Sequence, residues 1–265
     1  MQIILLILFL LIIFFIIFYL RKKQDFEPYC YIFGYGSLVN DNSTSSTLFN
    51  INLPDENINS LEKLIPNSQL ISNSIKLEKS FIPCRIKGIK REWNFSSNIK
   101  TNSLSKSALY LGANIDDEKY ICNGVLIPVT ETQISILDKR ESGYVKKEID
   151  IKNIFIIEND KSIKNKKVFF YANDNNTNND NLNIPIVQSY VDICLNGFIN
   201  IDNKLGNTNY EFTKEFIINT YGWNNRWIND RIYSYRPHIF TPNANLINKI
   251  LNETLPENIL NNIIS

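Results

Sequence analysis

The sequence predicts an α+β fold: a mixed, mostly antiparallel, barrel-like sheet with flanking helices, plus one N-terminal transmembrane helix. Three observations carry this expectation. Apolar runs of strand length fill the first half of the chain. Apolar residues at helical spacing take over in the second half, and strands followed by helices mark the α+β class. The opening segment is uniformly apolar over the length that a helix needs to cross a bilayer.

That segment, "IILLILFLLIIFFIIFYL" from Ile3 to Leu20, holds no charge and no proline. A helix of roughly 20 residues spans the ~30 Å hydrocarbon layer. Arg21, Lys22 and Lys23 follow it. A cleaved signal peptide has its positive charge before the apolar run and small residues after it, which is the reverse of this order. The expectation is a membrane anchor with a basic flank over residues 1–23, inserted through residues 3–20. The positive-inside rule then leaves a single-pass protein with its domain, 24–265, in the cytosol.

The chain has 265 residues and a formal net charge of +1. The length suits one sizeable domain, and the even charge balance speaks against a nucleic-acid partner. Cys30, Cys84, Cys122 and Cys194 lie far apart without a C-x-x-C pair. They support neither a metal site nor a disulfide framework, and read as buried small apolar residues in a reducing compartment. His238 is the single histidine, so any Ser-His-Asp triad would hang on that residue.

Residues 21–28 read as a polar linker and Tyr29 to Phe33 as a buried strand. Asp41 to Ser80 has little periodicity and reads as loops with one short helix. "SFIPCRIKGIKREWNF" returns to strand character. "ALYLGANI" and "CNGVLIPV" read as two antiparallel strands across a polar turn near Asp116 and Asp117. Thr130 and Gln133 have capping-box spacing ahead of "ETQISILDKR", a helix ending near Lys139 or Arg140. "GYVKKEIDI" and "KVFFYAN" are strands. Asn173 to Asn183 is a polar low-complexity loop. "IPIVQSYVDICLNGF" has helical spacing, with Pro185 suited to a first turn. "EFTKEFIINTYGWNNRW" predicts a further helix, ending at Gly222.

Two stretches carry candidate chemistry. In "FGYGSL", glycines flank Tyr35 at the end of a strand. Such a loop is either a plain turn or a nest of backbone N–H groups for an anion, with Ser37 as a cap or donor. It is not a nucleophile elbow, because Ser37 follows both glycines instead of standing between them. In "LDKRESGYVKKE", Glu141 falls where a helix ends and a strand begins. It is either an ordinary charged cap, or a general base whose proton affinity is raised by the helix C-terminus and by burial.

Taken together and in this order, "FGYGSL" and "LDKRESGY" resemble the γ-glutamylcyclotransferase-like superfamily. "CRIKGIKREWNF", "NGVLIPV", "VFFYAN", "PIVQSYVDICLNGF" and "WINDR" are similar to successive parts of that family, so the resemblance covers about residues 29–236. It implies a cofactor-free cyclisation. The α-amine of a γ-glutamyl group attacks its own γ-carbonyl, releasing 5-oxoproline and an amine or amino acid. It also implies that Glu141 is the acid/base and that Tyr35, Gly36, Ser37 and Leu38 hold the substrate. Tyr171 and Tyr144 would close the pocket, Tyr144 unless it faces the core. The expected partner is a small γ-glutamyl compound: glutathione, a γ-glutamyl amino acid or a γ-glutamyl amine. The segment 41–80 and the Asn-rich loop depart from compact members of the family, which leaves the acceptor group open. Two other readings stand beside this one. They are a catalytically silent, membrane-tethered binding or scaffold protein on the same fold, and a Ser37/His238/Asp hydrolase.

Overall fold

The computed structural model describes residues 28–48, 80–100, 105–158, 163, 166–173, 184–231, 243–260 and 263–264. In chain order the strands are β1 (Cys30–Gly34), β2 (Ile82–Lys87), β3 (Ile89–Lys100), β4 (Ser105–Ile115), β5 (Ile121–Val129), β6 (Val145–Ile149), β7 (Ile154–Ile156), β8 (Val168–Ala172), β9 (Ile186–Val187), β10 (Thr220–Tyr221), β11 (Trp227–Ile228) and β12 (Ile263–Ile264). The α-helices are α1 (Asp41–Leu48), α2 (Glu131–Arg140), α3 (Gln188–Lys204), α4 (Glu211–Ile218), α5 (Ala244–Thr254) and α6 (Glu257–Leu260).

Among the described residues the strands form two six-stranded sheets, ordered β6-β8-β1-β5-β2-β7 and β10-β3-β4-β9-β11-β12. This corrects the predicted fold class in two respects. Among the described residues the sheets are open instead of barrel-like, and they are mixed as expected: β1 runs parallel to β8 and antiparallel to β5. Among the described residues no helix is long and apolar enough to cross a membrane. The expected transmembrane helix, residues 3–20, lies outside the described residues, and the single-pass localisation built on it finds no support.

β1 is buried along its whole length, as its unbroken apolar run requires of a central strand with neighbours on both sides. The predicted hairpin of "ALYLGANI" with "CNGVLIPV" does not form. β4 pairs instead with β3 over eleven residue pairs, and β5 lies between β1 and β2 in the other sheet. Period-2 alternation records that a strand has a buried face, but not which strand is its neighbour. The capping box at Thr130 and Gln133 forms in both directions. Pro185 precedes the short strand β9, so α3 starts at Gln188 and not at the proline. The next helix stops at Ile218, and Thr220–Tyr221 joins β3 as β10 before Gly222 turns the chain at φ +74°. All four cysteines are buried thiols outside any disulfide.

The segment between β1 and α1 decides where the site lies. A 3-10 turn over Ser37–Val39 follows β1 directly. Helix α3 packs against it at Gly197. A Cβ there would sit 2.7 Å from the backbone of Val39 and Asn40, so only glycine lets the helix and the turn approach this closely. Asn40 fastens the contact by donating its amide to the Ile193 carbonyl.

A buried guanidinium locks the same region from the other side. Arg91, on β3, is fully buried, and its five N–H donors meet five neutral oxygens. Nε donates to Thr220 Oγ1, Nη1 to the Tyr35 and Asn123 carbonyls, and Nη2 to Asn123 Oδ1 and the Phe216 carbonyl. The Phe216 ring centroid lies 4.1 Å from the guanidinium carbon and that of Phe198 5.7 Å. Full hydrogen bonding and aromatic faces offset the desolvation of the charge. Through Tyr35 this residue ties the start of the site loop to both sheets and to α4.

Candidate active site

A cleft opens where the parallel strands β1 and β8 end, with one wall supplied by the second sheet. It is open to solvent on one side and is lined by Tyr35, Gly36, Ser37, Leu38, Leu111, Glu141, Tyr144, Tyr171 and Tyr190. Tyr35, Gly36, Ser37, Leu38, Glu141, Tyr144 and Tyr171, the residues that the family resemblance singled out, all lie on its surface. Leu111 and Tyr190 were not foreseen. Leu111 is one apolar position in an alternating strand, and Tyr190 belongs to a helical apolar stripe; both patterns are those of ordinary core residues.

The loop enters the cleft as backbone. Gly36 stands at the N-cap of the 3-10 turn, and no side chain caps that turn. Its own carbonyl accepts from Val39 N–H and that of Ser37 accepts from Asn40 N–H. The amides at the start of the turn have no intrahelical acceptor, as at any helix start. A Cβ on Gly36 would lie 3.1 Å from the Tyr190 hydroxyl and 3.4 Å from Leu111, so the glycine keeps this corner open. The Ser37 hydroxyl accepts a hydrogen bond from Arg140 Nη2 at 3.2 Å.

Glu141 is the C-cap of α2, its N–H donating to the Leu137 carbonyl. Its carbonyl accepts from Tyr144 N–H, which closes the turn into β6 and brings Tyr144 back over the cleft. The carboxylate is 15 % exposed and its Oε1 lies 3.0 Å from Arg140 Nε. Burial at a helix C-terminus opposes its charge, while the guanidinium favours the ionised, proton-accepting form.

The tyrosines divide between fixing the walls and facing the space. Tyr35 Oη donates to the Tyr171 carbonyl at 2.6 Å. Burial, and after it the neighbouring Tyr144, Tyr190 and Glu141, holds that phenol neutral well above its ordinary range. Tyr171 Oη donates to Asp138 Oδ1 at 2.9 Å, and burial followed by that carboxylate also pushes its ionisation far up. Tyr144 Oη donates to the Leu111 carbonyl at 2.9 Å. Its ring stacks on Phe95 with centroids 4.2 Å apart. It faces the cleft as well as packing against its wall, so the alternatives posed for it from the sequence are not exclusive. His238 of the hydrolase alternative lies outside the described residues.

A γ-glutamyl cyclotransferase has 14 % identity, a TM-score of 0.38, and alignment over 84 % of this chain and 98 % of that one. The chain is similar to solved γ-glutamyl cyclotransferases. A yeast γ-glutamyl cyclotransferase specific to glutathione matches at 11 % identity and TM-score 0.34, covering 86 % of this chain and 97 % of that one. An uncharacterized human protein matches at 15 % identity and TM-score 0.38, covering 72 % and 88 %. No family model matches the sequence, and no curated protein does.

Proposed function

We propose that this chain is a γ-glutamylcyclotransferase. The observation that carries the reading is one cleft in which the Tyr35–Leu38 loop meets Glu141, more than a hundred residues away in sequence, at hydrogen-bonding scale from a shared partner, Arg140.

The substrate holds both nucleophile and electrophile. A cleft that bends the γ-glutamyl group so that its α-nitrogen meets its γ-carbonyl supplies the large proximity contribution of an intramolecular reaction. Glu141 takes a proton from the α-ammonium. The freed amine forms a C–N bond to the γ-carbon, Glu141 hands the first proton to the leaving nitrogen, the old amide C–N bond breaks, and the second surplus proton on the new ring nitrogen follows through Glu141 to the released amine. The products are 5-oxoproline and an amine or amino acid. With free-solution values near ~8 for an α-amine and ~4.3 for glutamate, the first transfer costs about 5 kcal/mol. A partly buried carboxylate at a helix end is a setting that reduces this cost.

Backbone N–H groups of the Gly36–Leu38 turn suit the substrate α-carboxylate and the oxygen that gains charge during attack. Leu111, Tyr144, Tyr171 and Tyr190 exclude water around the bent chain. Ser37 supports the loop through Arg140 more than it touches substrate.

The test is direct. The purified full chain is incubated with glutathione, γ-glutamyl amino acids and γ-glutamyl amines, and 5-oxoproline is measured. Release from at least one class is expected. A folded protein that releases none from any of them rejects the enzyme reading in favour of a silent binding protein.

A further inference from the structure

One side chain joins two segments that line the cleft, the site loop and the end of α2, to the neighbouring helix α1. Arg140, the last residue of α2, places Nε 3.0 Å from Glu141 Oε1. Its Nη1 donates to Thr47 Oγ1 at 2.6 Å and to the Ser43 carbonyl at 3.1 Å. Its Nη2 donates to Ser37 Oγ and Ser43 Oγ, both at 3.2 Å. The guanidinium thus spans the end of α2, the site loop and the adjoining helix α1. Only a planar, permanently charged fork serves acceptors in several directions at once; a lysine offers a point charge on a flexible stem.

The location matters as much as the count. The Arg140 and Glu141 side chains are 23 % and 15 % exposed, so solvent and salt screen this pair less than a surface pair. The other titratable groups facing Glu141 are tyrosines from four elements: Tyr35 after β1, Tyr144 from its own turn, Tyr171 on β8 and Tyr190 on α3. Asp138 stands behind Tyr171, bonded to its hydroxyl and to Lys146. Burial keeps Tyr35 and Tyr171 neutral through the working range. Arg140 places a positive charge directly beside the carboxylate.

We propose that Arg140 is a positioning residue that keeps Glu141 ionised in the resting site and docks it against the Tyr35–Leu38 loop. The proposal rests on the cyclotransferase reading for its kinetic consequence only. The cycle requires Glu141 to begin as a base, inside a partly buried helix end that opposes its charge. The adjacent guanidinium offsets that opposition. The same guanidinium, by holding Ser37 and α1, fixes the distance between the base and the loop that would carry the substrate. Charge and fork are therefore separable functions of one side chain.

Two variants of the full chain separate them. Arg140→Gln removes the charge and Arg140→Lys keeps it while losing the fork. Rates of 5-oxoproline release are measured against pH for each, with unfolding curves to establish folding. For Arg140→Gln the acid limb of kcat/KM should move up by about one pH unit, so that kcat/KM at pH values below the limb falls by up to about tenfold. Arg140→Lys should leave the limb near its wild-type position and raise KM. An acid limb unmoved in folded Arg140→Gln overturns the proposal. If Arg140→Gln does not fold, the lysine variant decides: a displaced limb with unchanged KM overturns it. If the wild type releases no 5-oxoproline, the enzyme reading fails on its own. The pairing is then read by carbon NMR titration of the Glu141 carboxyl, where loss of the Arg140 charge should raise its midpoint, and an unchanged midpoint overturns the proposal.

Discussion

The Tyr35 hydroxyl donates to the Tyr171 carbonyl at 2.6 Å, bridging 136 residues of sequence. The bond joins the loop after β1 to the end of β8, the two edges from which the cleft opens. Tyr35→Phe removes the donor and leaves a buried carbonyl without it, a loss of about 1–3 kcal/mol in stability. The change also has a pH signature. The folded state holds this phenol neutral far above its ordinary range, whereas the unfolded chain ionises it near ~10. Its contribution is therefore complete below that value and declines as pH rises beyond it. Urea unfolding between pH 8 and 11 should show a shallower alkaline decline in Tyr35→Phe than in the wild type.

Glu141→Gln keeps the shape of the α2 C-cap and removes the proton acceptor. Turnover to 5-oxoproline should fall by at least 100-fold, with the thermal midpoint within a few degrees of wild type. Retained turnover in that variant would take Glu141 out of the mechanism.

Gly36→Ala tests the corner of the cleft. Gly36 has φ −137°, so alanine meets no left-handed strain there and the effect is one of space. The new methyl would approach the Tyr190 hydroxyl at 3.1 Å. A raised KM with little loss of stability is expected. Adding Tyr190→Phe removes the hydroxyl and should recover part of that loss; steady-state kinetics of the double variant show whether it does.

Gly197→Ala tests the packing of α3 on the turn. Its Cβ would collide with the backbone of Val39 and Asn40 at 2.7 Å, and backbone gives way only by moving the turn. A loss of about 1–3 kcal/mol is expected from such overpacking. Denaturant unfolding measures it, and a neutral result would mean that the helix and the turn are not held this close.

Arg91→Met keeps much of the side-chain volume but removes the donors to five buried oxygens, of which the Phe216 carbonyl keeps the Thr220 hydroxyl. Each acceptor left unpaired costs about 1–3 kcal/mol before relaxation. The variant should therefore be unfolded or nearly so at ambient temperature, as circular dichroism would show. A well-folded Arg91→Met would mean that neighbouring water or side chains replace the fork.

Local signals in the sequence held where the forces involved are local. The capping box at Thr130 fixed the start of α2, and ten residues of helix then placed Glu141 at its end. The unbroken apolar run of β1 implied a strand with neighbours on both sides. Pairing between distant strands was a different matter. β4 and β5 look like consecutive hairpin arms, yet they belong to different sheets, because alternation records a buried face and leaves the neighbour unspecified. The transmembrane expectation rested on residues outside the described chain. Leu111, Tyr190 and Arg91 carried no mark that separates them from core or surface residues of the same type.

By itself the sequence determined the residues of the cleft that belong to a motif: the Tyr35–Leu38 loop after its strand and Glu141 after its helix. Backbone propensity, capping and glycine placement act over a few residues, so they are written in short stretches. Only the tertiary structure decided that these stretches share one cleft, that Tyr171 spends its hydroxyl on Asp138, and that Arg140 links Glu141 to Ser37. Those relations arise from close packing and from the need of buried polar groups for partners, which can lie anywhere along the chain.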